Sequence, residues 1–243
     1  MIKKSLCLIL SLISFYSNAG ILANATRVIF NQNNTDRSLV LVNTNKYPVL
    51  VQTWIDKGDP ENLSQDKNAP YVIIPPISRL SESEIKSLKI IYNGHALPAD
   101  RETLYWINIY ETPATPSVPS DKKKIIMSMK TQLKIIYRPA ALKDTLPVAM
   151  KNVSCNVSGR STSLTCINNS GHYIFFNSIF VNDKDGFFEA VSGLDMMIEP
   201  HSRSEFSLVR SAKKIKTDNN KVRINILKDD GSIYTENLPV TFK

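Results

Sequence analysis

Short runs of β-branched and aromatic residues, punctuated by Asn, Asp and Pro, follow one another along almost the whole chain, with scarcely any 3.6-residue helical spacing. Arg27–Phe30, Ser38–Val42, Pro48–Ile55, Tyr71–Ile74, Ser87–Tyr92 and Leu104–Glu111 read as strands, and a long alternating segment, Ile125–Tyr137, closes this series. Pro139 to Lys143 ends it, Asp144 to Pro147 reads as a linker, and the pattern restarts with Ser163–Asn168, Tyr173–Asn182, Ser204–Val209, Lys221–Lys228 and Tyr234–Phe242. The pattern predicts an all-β fold. Two series with a break between them predict two immunoglobulin-like sandwiches in tandem. The one helical hint, Ser81–Ser87, is read as a loop with a single turn.

The first residues address the chain to export. Lys3 and Lys4 precede an uncharged apolar stretch from Leu6 to Phe15, and Ser17-Asn18-Ala19 puts small residues where a signal peptidase reads. The apolar stretch is too short to span a bilayer, and no later segment approaches that length. A second candidate cut lies at Ala23-Asn24-Ala25. Ala19 is preferred, because the later cut leaves Arg27 almost at the new N-terminus. The expected organisation is therefore a signal peptide over 1–19, a first domain over 20–143 and a second over 144–243.

Cys7 leaves with the signal, so Cys155 and Cys166 remain as an even pair in an exported protein, where a disulfide is expected. Zinc is a poor alternative, because two thiols with no nearby His pair make half a site. Without Lys3 and Lys4 the 30 Lys and Arg become 28, against 22 Asp and Glu, and the net charge falls from +8 to +6. A basic chain can meet nucleic acid, anionic membrane or acidic partners, and export argues against nucleic acid. The dense run Lys122-Lys123-Lys124 reads as a solvated loop. Pro113, Pro116 and Pro119 recur every third residue and suit a polyproline ligand, but a loop between two strands is the plainer reading.

Ile125, Met127, Met129 and Leu133 share one face of an extended chain, while Ile126, Ser128, Lys130, Gln132 and Lys134 share the other. Two readings follow. In one, the apolar face is buried in the domain's own core. In the other, it stays exposed at a sheet edge, where it can complete another protein's core. An exposed apolar edge invites aggregation unless pairing with a foreign chain is the activity.

At these residues the chain resembles the PapD-like periplasmic pilus chaperones. The resemblance runs through Thr26–Phe30, Pro48–Asp56 (PVLVQTWID), Pro75–Leu80 (PPISRL), Leu97–Pro113 (LPADRETLYWINIYETP) and Leu133–Lys143 (LKIIYRPAALK). PPxxRL alone is weak, but DRExLYxxNxxExP followed by KIIYRPAALK is a specific signal. The second half is looser, with Leu164–Asn182 its best match.

The resemblance implies two immunoglobulin-like domains set at an angle around a cleft. It also implies a mechanism, donor-strand complementation, in which a chaperone strand fills the gap of an incomplete pilus subunit. Carried onto this chain, the donor-strand residues are Ile125, Met127, Met129 and Leu133. Met at two of them departs from the usual Leu, Ile or Val, but a flexible thioether still fills an irregular groove. Arg27 and Lys134 take the place of the cleft cations that hold the subunit's C-terminal carboxylate. Glu102, Arg138 and Asp229 match a buried charged network linking the domains, with Asp230 an open alternative to Asp229. Cys155 and Cys166 do not fall at the second-domain cysteine pair of the family's best-known member, so their bond is expected from the compartment alone. The short, cysteine-free Thr112–Lys124 loop points to the subgroup serving rod-like pili.

The expected partners are pilus subunits and an outer-membrane usher, with no nucleic acid, nucleotide, metal or cofactor, and the chain is expected not to be an enzyme. His95, His172 and His201 are scattered, and no HxxxH, GxSxG or phosphate-cradling Gly loop occurs. A secreted immunoglobulin-like adhesion module is the second rival, favoured by Asn-x-Ser/Thr at Asn24, Asn33, Asn152, Asn156 and Asn168. Against it, the first half has Trp54 and Trp106 but no cysteine frame.

Overall fold

The computed structural model describes residues 20–61, 63–114, 125–158, 162–183, 186–192, 195–212, 215 and 221–242. The signal peptide expected over 1–19, the lysine run at 122–124 and most of the expected Thr112–Lys124 loop lie outside these residues. By packing, the chain divides into two compact units. One holds the residues up to Ala25 with Arg37–Ile91 and Ile107–Gln132, and the other holds Thr26–Asp36, Tyr92–Trp106 and Leu133–Lys243.

The chain is nearly all β. One sheet orders β1 (Ile21–Ala23), β3 (Asp36–Asn43), β7 (Ile85–Tyr92) and β5 (Tyr71–Ile74). A second orders β2 (Arg27–Asn31), β9 (Met129–Arg138), β8 (Thr103–Pro113), β4 (Val49–Asp56) and β6 (Ile77–Leu80). The third runs β13 (Gly186–Val191), β15 (Ser202–Arg210), β11 (Ser163–Asn168), β10 (Val153–Ser158), β17 (Ile233–Phe242), β16 (Lys221–Leu227), β12 (Ile174–Asp183) and β14 (Met197–Ile198). β12 also pairs with β13, so this ladder folds over on itself around one core.

Alternation decides what those cores contain. In the first unit Leu39 and Leu41 of β3, Val51 and Ile55 of β4, Leu88 and Ile90 of β7, and Ile107 and Ile109 of β8 are buried. In the second, Val153, Cys155 and Val157 of β10 meet Leu164 and Cys166 of β11, Ile174 and Ile179 of β12, and Val222, Ile224 and Ile226 of β16. Each such side chain contributes about 1.5–3 kcal/mol on leaving water. Both units also use the same polar device. Asn43 ends β3 and Asn168 ends β11, both fully buried. Each donates its side-chain amide to carbonyls of other segments, Leu80 and Ser81 for Asn43 and His172 and Glu199 for Asn168. Each accepts from the backbone N–H two residues on, at 3.0 Å.

Several local expectations change. The linker read at Asp144–Pro147 runs into a one-turn helix, α1 (Leu146–Met150), with Pro147 in its first turn. The strand expected to start at Ile125 starts at Met129, and 125–128 have no regular structure. β10 and β13 escaped the sequence pattern, because β10 interleaves its buried Val153, Cys155 and Val157 with Ser and Asn, which read as turn residues, and β13 alternates poorly.

Candidate functional site

The segment before β9, together with the first residue of β9, carries the exposed apolar row. Ile125 is 90% exposed, Met127 77% and Met129 43%, with Ile126 also exposed. Leu133 is a correction: it was expected to continue this row and is buried instead. The reason is its place in β9, where Leu133, Ile135 and Tyr137 turn inward together. A buried polar chain unseen in the sequence holds the start of that strand. Gln132 donates to Asn108 Oδ1 at 2.9 Å, and Asn108 donates to Asp56 Oδ2 at 2.9 Å. Asp56 also accepts from Trp54 Nε1 at 3.2 Å and from the Gly58 N–H at 2.7 Å.

β2 covers only the second half of β9. Their parallel ladder begins with Arg27 opposite Lys134 and runs to Asn31 opposite Arg138. The two predicted cations are therefore register partners. The Arg27 guanidinium lies 4.7 Å from the centre of the Phe175 ring, and its buried Nε and Nη1 have no hydrogen-bond partner. Burial pushes its pKa below the ordinary arginine value, although the charge of Asp229 works the other way. Lys134 Nζ lies 4.0 Å from the centre of the Trp106 ring and donates to Asp195 Oδ1 at 3.0 Å.

Four residues further along β9, Arg138 donates from Nε to Glu102 Oε1 at 2.5 Å, from Nη1 to Asp229 Oδ2 at 2.6 Å and from Nη2 to Asp229 Oδ1 at 3.2 Å. The fork settles Asp229 over Asp230, whose carboxylate turns instead to Ser232. Burial works against the Arg138 charge, but the hydrogen bonds to Asp229 and the charge of Glu102 outweigh it and raise its pKa. Glu102 is almost wholly buried, meets His172 Nδ1 at 3.1 Å and accepts from the Tyr173 N–H at 2.8 Å. This cluster lines a cavity of about 520 Å³ shared with Leu142, Asp144 and Lys228. Burial, and then the charges of Glu199 and Glu102, push the Tyr173 phenol up. Among the described residues no group of His, Cys, Asp and Glu is placed to hold a metal ion, and no helix is long and apolar enough to cross a membrane.

Residues 20–143 match the family model for the pili and flagellar-assembly chaperone PapD N-terminal domain, and 148–238 match the pili assembly chaperone PapD C-terminal domain. The chain belongs to the PapD-like pilus chaperones. That family is a non-enzymatic class, and its two-domain β-sandwich layout agrees with the sheets described above. Among its relatives, the chaperone protein LpfB of Salmonella typhimurium is 32% identical over 182 residues, 73% of this chain and 75% of LpfB. The chaperone protein MrkB of Klebsiella pneumoniae is 28% identical over 93% of both chains. The crystal structure of the YadV chaperone superposes with a TM-score of 0.73 at 26% identity, covering 90% of this chain and 98% of YadV. The SafB chaperone, solved with the Salmonella enterica SafA pilin, gives a TM-score of 0.70 at 25% identity, over 90% and 96%.

In this chaperone Cys155 and Cys166 face each other across β10 and β11 and form a disulfide inside the core. Sequence reading missed His172, Phe175, Trp106 and Asp195. The first three sit inside resembling stretches that could have flagged them. Asp195 had no such signal, since it reaches Lys134 from 61 residues away.

Proposed function

We propose that this chaperone works in the bacterial periplasm, after loss of residues 1–19, by donor-strand complementation of pilus subunits, and hands them to an outer-membrane usher. The observation that carries this is the exposed row Ile125, Met127 and Met129, which runs into β9 and so to the Arg27 and Lys134 rung. Met129 to Leu133 have β8 on one side and lie ahead of the ladder with β2, which supports strand addition on that edge. A subunit that buries the three side chains gains about 1.5–3 kcal/mol from each. Its C-terminal carboxylate, held by the two cations, gains charge-assisted hydrogen bonds of about 1.5–3 kcal/mol each and sets the register. Release needs no nucleotide, because a subunit that exchanges the donated strand for a better one folds further downhill. The solved pair of SafB with SafA pilin supports a pilin as the partner. Glu102, Arg138 and Asp229 then act as a brace that orients the turn bearing Asp229 on β9.

The test is co-expression with pilus subunits of the same bacterium, followed by size-exclusion chromatography and mass spectrometry. A one-to-one complex lost on disrupting the apolar row is expected. Subunits that stay soluble without the chaperone, or complexes indifferent to the row, would sink the reading.

A further inference from the structure

Lys134 already has a carboxylate. Asp195 Oδ1 accepts from its Nζ at 3.0 Å, while Trp106 and Phe175 flank the ammonium at 4.0 Å and 5.6 Å from their ring centres. Asp195 is set there by its chain neighbours. The carbonyl of Met196 accepts from the Phe176 N–H at 2.7 Å, and the next residues form β14 against Ile174 and Phe175. Across the same rung, Arg27 lies over Phe175 and leaves Nε and Nη1 buried with no acceptor. So two cations share one aromatic wall, one satisfied by the protein itself and the other not.

This matters for any ligand carboxylate. A buried, unbonded N–H is costly, so the arginine attracts an acceptor strongly. An acceptor bound at Arg27 arrives beside Lys134 and meets the negative Asp195, and two carboxylates crowded on one ammonium repel. Full two-cation binding therefore requires Asp195 to let go. We propose that Asp195 is an internal competitor for the subunit's C-terminal carboxylate, occupying Lys134 in the free chaperone and yielding it only to a ligand with further contacts to offer. This rests on the reading of Arg27 and Lys134 as a carboxylate site. Its consequence is selectivity. The apparent affinity for any carboxylate falls by the fraction of molecules in which Lys134 is free. A small free carboxylate cannot make up that loss, whereas a subunit tail that also adds a strand can.

The experiment uses the folded full-length mature chain, labelled with 15N at the lysine side chains, and titrates acetate at constant ionic strength with acetamide as the neutral control. Lys134→Met identifies the Lys134 signal. Asp195→Asn is expected to bind acetate about two- to fivefold more tightly than wild type at that signal, the range of a partly exposed ion pair removed from competition. Asp195→Ser repeats the measurement without an amide that could itself bond Lys134, or replaces Asn if that variant does not fold. Equal acetate affinity in wild type and both variants overturns the competitor role and leaves the carboxylate site standing. Acetate that perturbs Lys134 no more than acetamide does in every protein overturns both.

Discussion

Arg27 and Lys134 are Cα partners on the first rung of a parallel ladder, yet the lysine holds Asp195 and the arginine leaves Nε and Nη1 unbonded. Two buried guanidinium nitrogens without an acceptor are a cost the free protein carries. It makes sense where the acceptor arrives with a ligand. The following expectations come from that site and the elements that hold it.

Arg27→Ala removes two unsatisfied buried donors along with a ring contact to Phe175, so the free protein should keep its stability to within about 1 kcal/mol. Subunit binding should nevertheless weaken about ten- to hundredfold, and Lys134→Ala should weaken it similarly. Denaturant unfolding beside titration of a purified subunit separates the two effects. A folded variant with undiminished binding argues against the assigned roles.

Met127 and Leu133 should behave oppositely despite sharing a face in the sequence. Met127→Asp, at an exposed position, should change stability by no more than about 0.5 kcal/mol while abolishing the subunit complex. Leu133→Ala, at a buried one, should cost about 2–4 kcal/mol of stability. Copurification and chemical denaturation read the two outcomes.

Glu102 and Asp229 both bond Arg138, but only 2% of Glu102 is exposed, against 48% of the Asp229 side chain. Glu102→Ala leaves Arg138 Nε and the Tyr173 N–H without their buried acceptor, although Asp229 still holds Nη1 and Nη2, and should cost about 3–5 kcal/mol. Asp229→Ala breaks a wetter pair and should cost at most about 1 kcal/mol. Equal costs, measured by urea unfolding, would refute this division.

Cys155 and Cys166 close a short loop inside the second unit's core. Reduction should lower stability by about 3 kcal/mol on the loop-entropy estimate. It should also be slow under native conditions, because both sulfurs are buried. Denaturant midpoints with and without reductant check the first point, and the rate of thiol labelling checks the second.

Glu111 gives a pH dependence whose sign can be worked out. Burial holds its carboxyl above the ordinary range, although the Ile21 N–H donates to it at 2.6 Å. The folded state therefore binds that proton more tightly than the unfolded chain. The stabilisation is present below the ordinary carboxylate range and is lost as pH rises through the raised value. In a chain tagged ahead of Gly20, the stability of Glu111→Gln relative to wild type should improve from pH 4 to pH 7. In a chain that begins at Gly20, the α-ammonium lies beside Glu111, and the trend should weaken or reverse. Thermal melts across this range report both the shift and the consequence of cutting after Ala19.

Much of this protein is written locally. Short β-branched runs with period-two alternation can only be strands, and their restart after Lys143 marks a second series. Lys3 and Lys4 ahead of an apolar run predict export, and that address predicts the Cys155–Cys166 disulfide that the structure contains. Arg27, Glu102, Lys134 and Arg138 stood out because they sit in stretches the family shares. What the chain could not announce is which face of an alternating segment finds cover and which distant group arrives opposite it. Ile125, Met127 and Leu133 alternate identically, yet Leu133 is enclosed because β9 is already a strand in its own sheet there, while the first two precede it. Asp229 was chosen over Asp230 by the direction of one turn, and Asp195 came to Lys134 through the pairing of β14 with β12. Strand periodicity is a property of neighbours along the chain. Burial and ion pairing are set by neighbours in space, and only the folded structure brings those together.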